Sequence, residues 1–318
     1  MPPETFRTSA VIGTGMMGPG IALTLALGGL RATILSRALE TAAAGLAKAR
    51  AQAGVLLQND LASPDAIARA LPLLDSSDDF DRTVSAADLV VESGPEDMDF
   101  KQSLFARMDS LARPEALLAS NTSGLSITAI AGRCAHPERV LTAHFWNPPH
   151  LMPLVEIVRG EHTHPAAADA LRRLLAACGK TPVVVQKDRP GQLGNRLQMA
   201  LVREAAHIVA EGIATVEDVD TVAQNGFGLR MPAYGIFEHQ DLVGLDLGLR
   251  VVDYVSRDLY NAPCAPDNIR ALVRDGRLGA KTGRGFYDWS VKSPDAVRSR
   301  RDAFLIEVLR YRRSTSRP

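Results

Sequence analysis

The chain has few cysteines, no excess of either charge and no long uncharged apolar run. Its 318 residues include only three cysteines, which lie far apart at Cys134, Cys178 and Cys264. This spacing predicts neither a disulfide scaffold nor a zinc site, and we expect no bound metal. With 36 basic and 36 acidic residues, the sequence predicts no nucleic-acid partner and no acidic membrane partner. Its first residues lack the apolar core of a signal peptide and no segment is apolar enough to span a bilayer, so we expect a cytoplasmic protein.

Apolar strands alternate with helical stretches in the first part of the chain, whereas the last part is helical. The predicted strands are Ala10–Ile12, Ala32–Leu35, Leu71–Leu74, Leu89–Glu92, Leu117–Ala119, Val140–Ala143, Leu154–Val158 and Val183–Val185. This order predicts an α/β domain, with a mostly parallel sheet and helices on both faces. The alternation stops at Pro190-Gly191, where long helical patterns begin. We therefore predict two domains, residues 1–188 and an all-α domain at residues 189–318.

A glycine-rich turn follows the first predicted strand directly. Its sequence, Gly13-Thr14-Gly15-Met16-Met17-Gly18, leads into a helical pattern and then a second strand. A dinucleotide-binding turn requires this order, because Gly13 allows the tight turn, Gly15 lets the backbone approach a pyrophosphate and Gly18 lets helix and strand pack closely. The helix N terminus adds N–H groups and a partial positive charge. We predict that this segment, Met16 and Met17 included, binds a nicotinamide dinucleotide.

The end of the second strand indicates which dinucleotide binds. Enzymes that use NAD usually carry Asp or Glu there to accept hydrogen bonds from the ribose, whereas this chain has Ser36-Arg37. A hydroxyl and a guanidinium bind a 2′-phosphate, which a carboxylate would repel. Arg37 can equally stack on the adenine of NAD or point to solvent. The sequence therefore leaves NAD and NADP both open.

His144 and Glu156 lie twelve residues apart, one at the end of an apolar run and the other within the next. The adjacent prolines Pro148 and Pro149 predict a turn between the two runs, so that neighbouring strands bring the side chains together. An imidazole oriented by a carboxylate is a general base near neutral pH.

Two further motifs are Ser120-Asn121-Thr122-Ser123 and Gly191-Gln192-Leu193-Gly194-Asn195-Arg196. With these motifs and those above, the chain resembles the 3-hydroxyacyl-CoA dehydrogenase family. The segment from Lys281 to Tyr287 is similar to the same family's closing motif. The resemblance covers nearly the whole chain. It implies a Rossmann-type NAD(P)-binding domain and a helical C-terminal domain that forms a homodimer, with the active site in the cleft between the domains. It also implies reversible hydride transfer at the C3 hydroxyl of a 3-hydroxyacyl substrate, as in fatty acid metabolism.

The resemblance also assigns roles to single residues. The catalytic base falls on His144 and its orienting carboxylate on Glu156, while the substrate-binding residues fall on Ser123 and Asn195. The residues that hold the nicotinamide ribose fall on Glu96 and Lys101, and we expect Asn121 to contact the cofactor too.

Two departures from the family pattern bear on the substrate. Acyl-CoA members carry a Lys shortly before Leu-Val-Glu, where this chain has Pro153, and they carry a Lys-rich helix after the second strand. Residues 38–70 of this chain hold only Lys48, Arg50 and Arg69 as cations, so a nucleotide phosphate finds fewer partners. The Pro148-Pro149 pair and the Pro-Leu-Val-Glu sequence of this chain are more similar to the lambda-crystallin and L-gulonate dehydrogenase side of the family, whose substrates are free hydroxy acids. His150 is a candidate contact for a substrate carboxylate or, alternatively, an exposed loop residue without such a role.

Three hypotheses follow. The first is an NAD(P)-dependent dehydrogenase whose substrate is a CoA thioester or, alternatively, a free hydroxy acid similar to L-gulonate or carnitine. The second is the 6-phosphogluconate and imine-reductase-like group, which the absence of a Lys in residues 191–196 disfavours. The third is a nucleotide-binding structural protein, which the joint presence of His144, Glu156, Ser123 and Asn195 disfavours.

Overall fold

One eight-stranded sheet forms the centre of the first part of the molecule. The computed structural model describes residues 5–315. The strands are β1 (Thr8–Ile12), β2 (Arg31–Leu35), β3 (Leu74–Ser77), β4 (Leu89–Glu92), β5 (Leu117–Ser120), β6 (Val140–Phe145), β7 (Leu154–Arg159) and β8 (Thr181–Val185). Their spatial order is β3-β2-β1-β4-β5-β6-β7-β8, and only the β6–β7 pair is antiparallel. The predicted mostly parallel sheet is confirmed.

Helices cover both faces of this sheet. They are α1 (Gly18–Leu27), α2 (Leu39–Gln58), α3 (Pro64–Ala70), α4 (Phe80–Ala86), α5 (Met98–Leu111), α6 (Ile127–Ile130) and α7 (Pro165–Ala177). Successive strand residues point to opposite faces, so Ala10 packs with α4, α5 and α6 while Val11 packs with α1, α2 and α7. Both faces are buried, and this explains why the strands are apolar runs and not alternating ones.

The parallel order brings the carboxyl ends of β1, β2, β3, β4, β5 and β6 to one edge of the sheet. Ligands of open α/β sheets bind outside this edge. Strand β7 starts at the same edge because it runs antiparallel to β6, and the register places His144 directly opposite Glu156. The predicted turn between these strands is therefore confirmed.

One predicted strand was displaced. The sequence predicted a strand at Leu71–Leu74, whereas Leu71–Leu73 form a single 3₁₀ turn and β3 begins at Leu74. Pro72 explains the difference, because proline has no N–H to donate to a strand ladder. The more polar residues that follow pair with β2 instead.

The described residues divide into two compact units. One unit is residues 197–299, and the described residues on either side of it form the other. The predicted division after residue 188 stays a prediction. The compact units are drawn differently, because most of the last helix, α14 (Pro294–Thr315), belongs to the first unit. Ile306 of α14 is buried in the core beside α1 and α2, and Arg310 and Arg313 donate to the carbonyl oxygens of Asn59 and Asp60.

The unit at residues 197–299 is helical. Its helices are α9 (Val216–Asn225), α10 (Phe227–Arg230), α11 (Ile236–Val243), α12 (Leu245–Val255) and α13 (Asp267–Arg274), preceded by α8 (Gly194–Ala210), which starts in the first unit. The segment after α13 forms a compact turn in which the Gly279 N–H donates to the Arg284 carbonyl oxygen. Between residues 5 and 315, no helix is both long and apolar enough to cross a membrane.

Candidate active site

The glycine turn lies between β1 and α1, at the carboxyl edge of the sheet. Gly13 has a φ of +117°, and a Cβ on it would lie 2.5 Å from the Ser93 carbonyl oxygen. A Cβ on Gly18 would overlap the carbonyl oxygen of Gly13. Because both obstacles are backbone atoms, only glycine fits at these two positions.

The outer side of the same turn is open. A Cβ on Gly15 would have no neighbour within 4 Å, and the Met16 side chain is 71% exposed. No side chain caps the N terminus of α1, so the N–H groups of its first turn remain available to an anion. These residues fit a dinucleotide pyrophosphate.

The end of β2 carries no carboxylate. The Ser36 hydroxyl lies 2.6 Å from the Thr41 hydroxyl, and exposed Arg37 makes no hydrogen bond or ion pair within the described chain. Lys48 of α2 donates to the Thr14 carbonyl oxygen at 3.3 Å, so its ammonium lies beside the glycine turn. Polar or cationic side chains, and no carboxylate, are thus found at the end of β2 and beside the glycine turn.

A buried ion pair lies at the end of β4. The Lys101 ammonium donates to both Glu92 carboxylate oxygens, at 2.6 and 2.8 Å, and the two side chains are 1% and 0% exposed. The Ser120 hydroxyl and the Gly94 N–H donate to the same carboxylate. This pair fixes Lys101 3.7 Å from the half-exposed Glu96 carboxylate.

Glu96 and Asn121 hold the loops at the ends of β4, β5 and β6. The Glu96 carboxylate accepts hydrogen bonds from the Thr122 hydroxyl at 2.6 Å and from the Ser123 N–H at 3.0 Å. The Asn121 amide oxygen accepts from the Phe145 N–H at 2.8 Å. The contacts of these residues and of Lys101 with a cofactor stay predictions.

The predicted His–Glu pair is formed. His144 Nδ1 lies 2.9 Å from Glu156 Oε2, and the two side chains are 7% and 1% exposed. Trp146 Nε1 donates to the same oxygen at 3.0 Å. The N–H groups of Leu193 and Gly194 donate to Glu156 Oε1 at 3.0 and 2.8 Å. Four donors therefore surround one buried carboxylate, which satisfies its acceptor capacity.

These donors keep the carboxylate ionised. Burial alone would raise the pKa of Glu156, but the hydrogen bonds from His144, Gly194 and Trp146 outweigh it and hold the pKa at about 2. An ionised carboxylate only accepts hydrogen bonds, so the proton between the two side chains is on His144 Nδ1. Nε2 is therefore the ring nitrogen whose lone pair is not engaged by Glu156.

The start of α8 and the residues just before it connect this pair to the loop after β5. Asn195 Nδ2 donates to the Ser123 carbonyl oxygen at 2.7 Å, and Gln192 Nε2 donates to the Thr122 carbonyl oxygen at 2.8 Å. The Ser123 hydroxyl makes no hydrogen bond within the described chain. Since Gly194, which precedes Asn195, binds Glu156, the structure brings all four predicted catalytic residues into one hydrogen-bonded cluster.

Sequence reasoning missed three residues of this site. They are Glu92, Trp146 and Gln192, which hold Lys101, Glu156 and the Thr122 carbonyl oxygen. A carboxylate at the end of an otherwise apolar strand was the available signal for Glu92, because an acidic side chain is rarely buried without a partner. Neither Trp146 nor Gln192 carries a comparable signal, since both act only across the folded structure.

A nucleotide-binding glycine turn and an oriented imidazole at the same sheet edge define the class of this protein, a dinucleotide-dependent oxidoreductase. The family follows from comparison with known proteins. The NAD binding domain of 3-hydroxyacyl-CoA dehydrogenase matches residues 8–189, and the C-terminal domain of the same enzyme matches residues 191–289. The chain belongs to the 3-hydroxyacyl-CoA dehydrogenase family.

Its relatives differ in the substrates that their names state. The chain is 34% identical to 5-formyl-3-hydroxy-2-methylpyridine 4-carboxylate 5-dehydrogenase of Mesorhizobium japonicum, over 96% of this chain and 97% of the relative. It is 32% identical to 3-hydroxybutyryl-CoA dehydrogenase of Bradyrhizobium diazoefficiens, over 91% and 97%. It is 35% identical to L-carnitine dehydrogenase of Streptomyces griseus, over 97% and 90%.

The overall structure is similar to that of the first of these enzymes. A crystal structure of the 5-formyl-3-hydroxy-2-methylpyridine 4-carboxylic acid 5-dehydrogenase, described as an NAD⁺-dependent dismutase, has a TM-score of 0.90 and 32% identity. The match covers 96% of this chain and 98% of that one. The Rossmann-type fold with a helical C-terminal domain is thereby confirmed.

The low pKa of Glu156 makes stability depend on pH. Because the folded pKa of about 2 lies below the ordinary 4.5, ionised Glu156 stabilises the fold above pH 4.5, and this contribution is lost as the pH falls toward 2. We expect Glu156→Gln to lower the free energy of unfolding at pH 7 by about 3 kcal/mol, with a smaller deficit at pH 3. Urea denaturation at both pH values measures this. Glu161→Gln, an exposed control, should show no such change, and a deficit independent of pH would contradict the assignment.

Proposed function

We propose that this chain catalyses reversible hydride transfer between a nicotinamide cofactor and the C3 hydroxyl of a 3-hydroxyacyl compound, with His144 as the general base. The observation that carries this proposal is the 2.9 Å contact between His144 Nδ1 and Glu156 Oε2. It leaves Nε2 as the one ring atom able to accept a proton.

In the oxidation direction, His144 Nε2 accepts the proton of the substrate hydroxyl. The imidazolium that forms is stabilised by the Glu156 carboxylate, which stays ionised because four donors surround it. In the reduction direction the same nitrogen returns the proton to the carbonyl oxygen. Glu156 positions the ring and does not itself exchange a proton with the substrate.

Ser123 and Asn195 are the proposed substrate contacts. The Ser123 hydroxyl, unused within the described chain, can donate to the oxygen at the reacting carbon, while Asn195 fixes the Ser123 backbone. A positioned donor to a developing charge is typically worth about 3 kcal/mol in rate.

The cofactor proposed for this site is NAD or NADP, which would supply the hydride acceptor at its nicotinamide ring. The residues that would hold it are the glycine turn at 13–18, Ser36 and Arg37 at the adenosine end, and Glu96, Lys101 and Asn121 at the nicotinamide end. The buried Glu92 carboxylate fixes Lys101 in this arrangement.

The substrate is either a CoA thioester or a free hydroxy acid. The family's name supports the thioester. The free acid is supported by two relatives named for free acids and by the small number of cations on α2, of which Lys48 is already bound to Thr14. Nicotinamide absorbance during reduction of acetoacetyl-CoA and of free acetoacetate, each with NADH and NADPH, separates the two.

We also propose that two copies of the chain associate through residues 197–299. Three large side chains of this unit, Phe237, Leu242 and Tyr254, are 84%, 78% and 78% exposed. Exposed apolar surface of this kind is typical of an interface. Sedimentation velocity at micromolar concentration should give a dimer, and a monomer would contradict the proposal.

Replacement of the base tests the catalytic role. We expect His144→Gln to lower turnover of either acetoacetyl-CoA or acetoacetate by roughly 10²–10⁴-fold, because glutamine accepts no proton. The affinity for NADH, measured by fluorescence titration, should stay within twofold, since the hydrogen bond of His144 is with Glu156 and not with the glycine turn. His162→Gln, an exposed control, should retain full activity. A parallel loss of NADH affinity would contradict the role of His144 as the base.

Replacement of Arg37 tests the cofactor. If Arg37 binds a 2′-phosphate, Arg37→Asp should lower kcat/KM for NADPH at least tenfold relative to NADH, because a carboxylate repels the phosphate and accepts from ribose hydroxyls. Arg173→Asp on α7, exposed and distant in sequence, is the matched control. An unchanged ratio would show that Arg37 does not contact the 2′ position.

A further inference from the structure

A large cavity of the first unit contains none of the proposed catalytic or cofactor-binding residues. Its volume is about 1260 Å³, more than enough for a small organic ligand. It lies among the C-terminal half of α1, the α2–α3 connection, the loop before β7, the start of β8 and the end of α14.

The ammonium of Lys180 has no carboxylate partner within the described chain. It donates to the carbonyl oxygens of Pro149 and Met152, at 2.6 and 3.0 Å. Burial lowers the pKa of Lys180 to about 8, so the group still carries a charge at neutral pH. A partly buried charge whose hydrogen bonds within the described chain are all with neutral carbonyl oxygens would be stabilised by a bound anion.

A second polar group of the cavity is also unsatisfied. His150 Nδ1 is buried and has no hydrogen-bond partner within the described chain. Burial, aided by the nearby Lys180 charge, lowers the pKa of His150 to about 4, so its ring is neutral at pH 7 and can donate one hydrogen bond.

The remaining charges of the lining are also mostly positive. The lining holds three arginines, Arg310, Arg312 and Arg313, and one acidic residue, Asp60; Arg310 is paired with Glu307 outside the lining, and Arg313 donates to the Asp60 carbonyl oxygen. Apolar side chains share the wall with these polar groups. Its large apolar side chains are Leu27, Leu56, Leu61, Leu151 and Leu309.

We propose that this cavity binds an amphipathic anion, a carboxylate or phosphate head on an apolar chain, with the head at Lys180 and His150 and the chain along the leucines. The site is separate from the hydride-transfer site, and its occupation does not depend on the proposed function. A ligand there would connect the loop before β7 with the end of α14, since both line the cavity.

Calorimetric titration of the full chain with octanoate and with octyl phosphate tests the proposal. We expect both to bind one per chain, whereas octanol, which lacks the head, and inorganic phosphate, which lacks the chain, should bind at least tenfold more weakly. Tighter binding of one anion identifies the head group. Equal affinity for octanol, or no binding of either anion, would overturn the proposal.

Variants then locate the binding. Lys180→Met keeps the length of the side chain and removes its charge, and it should weaken octanoate binding at least tenfold. Lys187→Met, at an exposed position of the same unit, should leave the affinity unchanged. If Lys180→Met does not fold, by circular dichroism, Arg313→Gln provides a second removal of positive charge and should weaken binding at least threefold. Unchanged affinity in the folded variant would overturn the proposal.

A final comparison separates this site from the catalytic one. Octanoate affinity should be the same in His144→Gln and in the presence of saturating NADH, because no proposed catalytic or cofactor residue lines the cavity. Competition with NADH, or loss of binding in His144→Gln, would place the anion in the hydride-transfer site and overturn the assignment to the cavity.

Discussion

The buried carboxylate of Glu156 is the group on which the rest of the site depends. It accepts hydrogen bonds from two segments that are distant in sequence from each other: His144 and Trp146 at the end of β6, and the Leu193–Gly194 backbone at the start of α8. Removing it would leave an imidazole without orientation and two backbone N–H groups without an acceptor. The same contacts therefore stabilise the fold and set the chemistry of the base.

The sheet makes this convergence possible. Six parallel strands end at one edge, and the antiparallel turn into β7 returns the chain to that edge, so that the nucleotide turn and the His–Glu pair lie on the same side. The neighbouring loops are held by the close approach of backbone segments at Gly13 and Gly18 and by the buried Glu92–Lys101 ion pair. His144 and Glu156 lie on the strands themselves, whereas the glycine turn and Ser123 lie on loops that the strands position.

Local patterns predicted much of this arrangement, and long-range contacts account for what they did not predict. All eight strands were expected, with one displaced because Pro72 cannot join a ladder. The His144–Glu156 pair was predictable because a proline turn joins adjacent strands. The Glu92–Lys101 pair and the docking of α14 beside α2 were not, since each depends on which surfaces meet after folding. Substrate choice also depends on side chains that meet only after folding. Relatives of similar sequence identity carry names with and without CoA.

The central claim is that Glu156 holds the proton on His144 Nδ1 and leaves Nε2 free as the base. Two-bond ¹⁵N–¹H correlation spectra of the histidine side chains at pH 7.5 test it directly, with His144→Gln used to assign the signals. The account predicts that His144 is the Nδ1–H tautomer, with an unprotonated Nε2, and that Glu156→Gln weakens this preference. An Nε2–H tautomer in the unmodified protein would contradict the account, because no lone pair would then be available to accept the substrate proton.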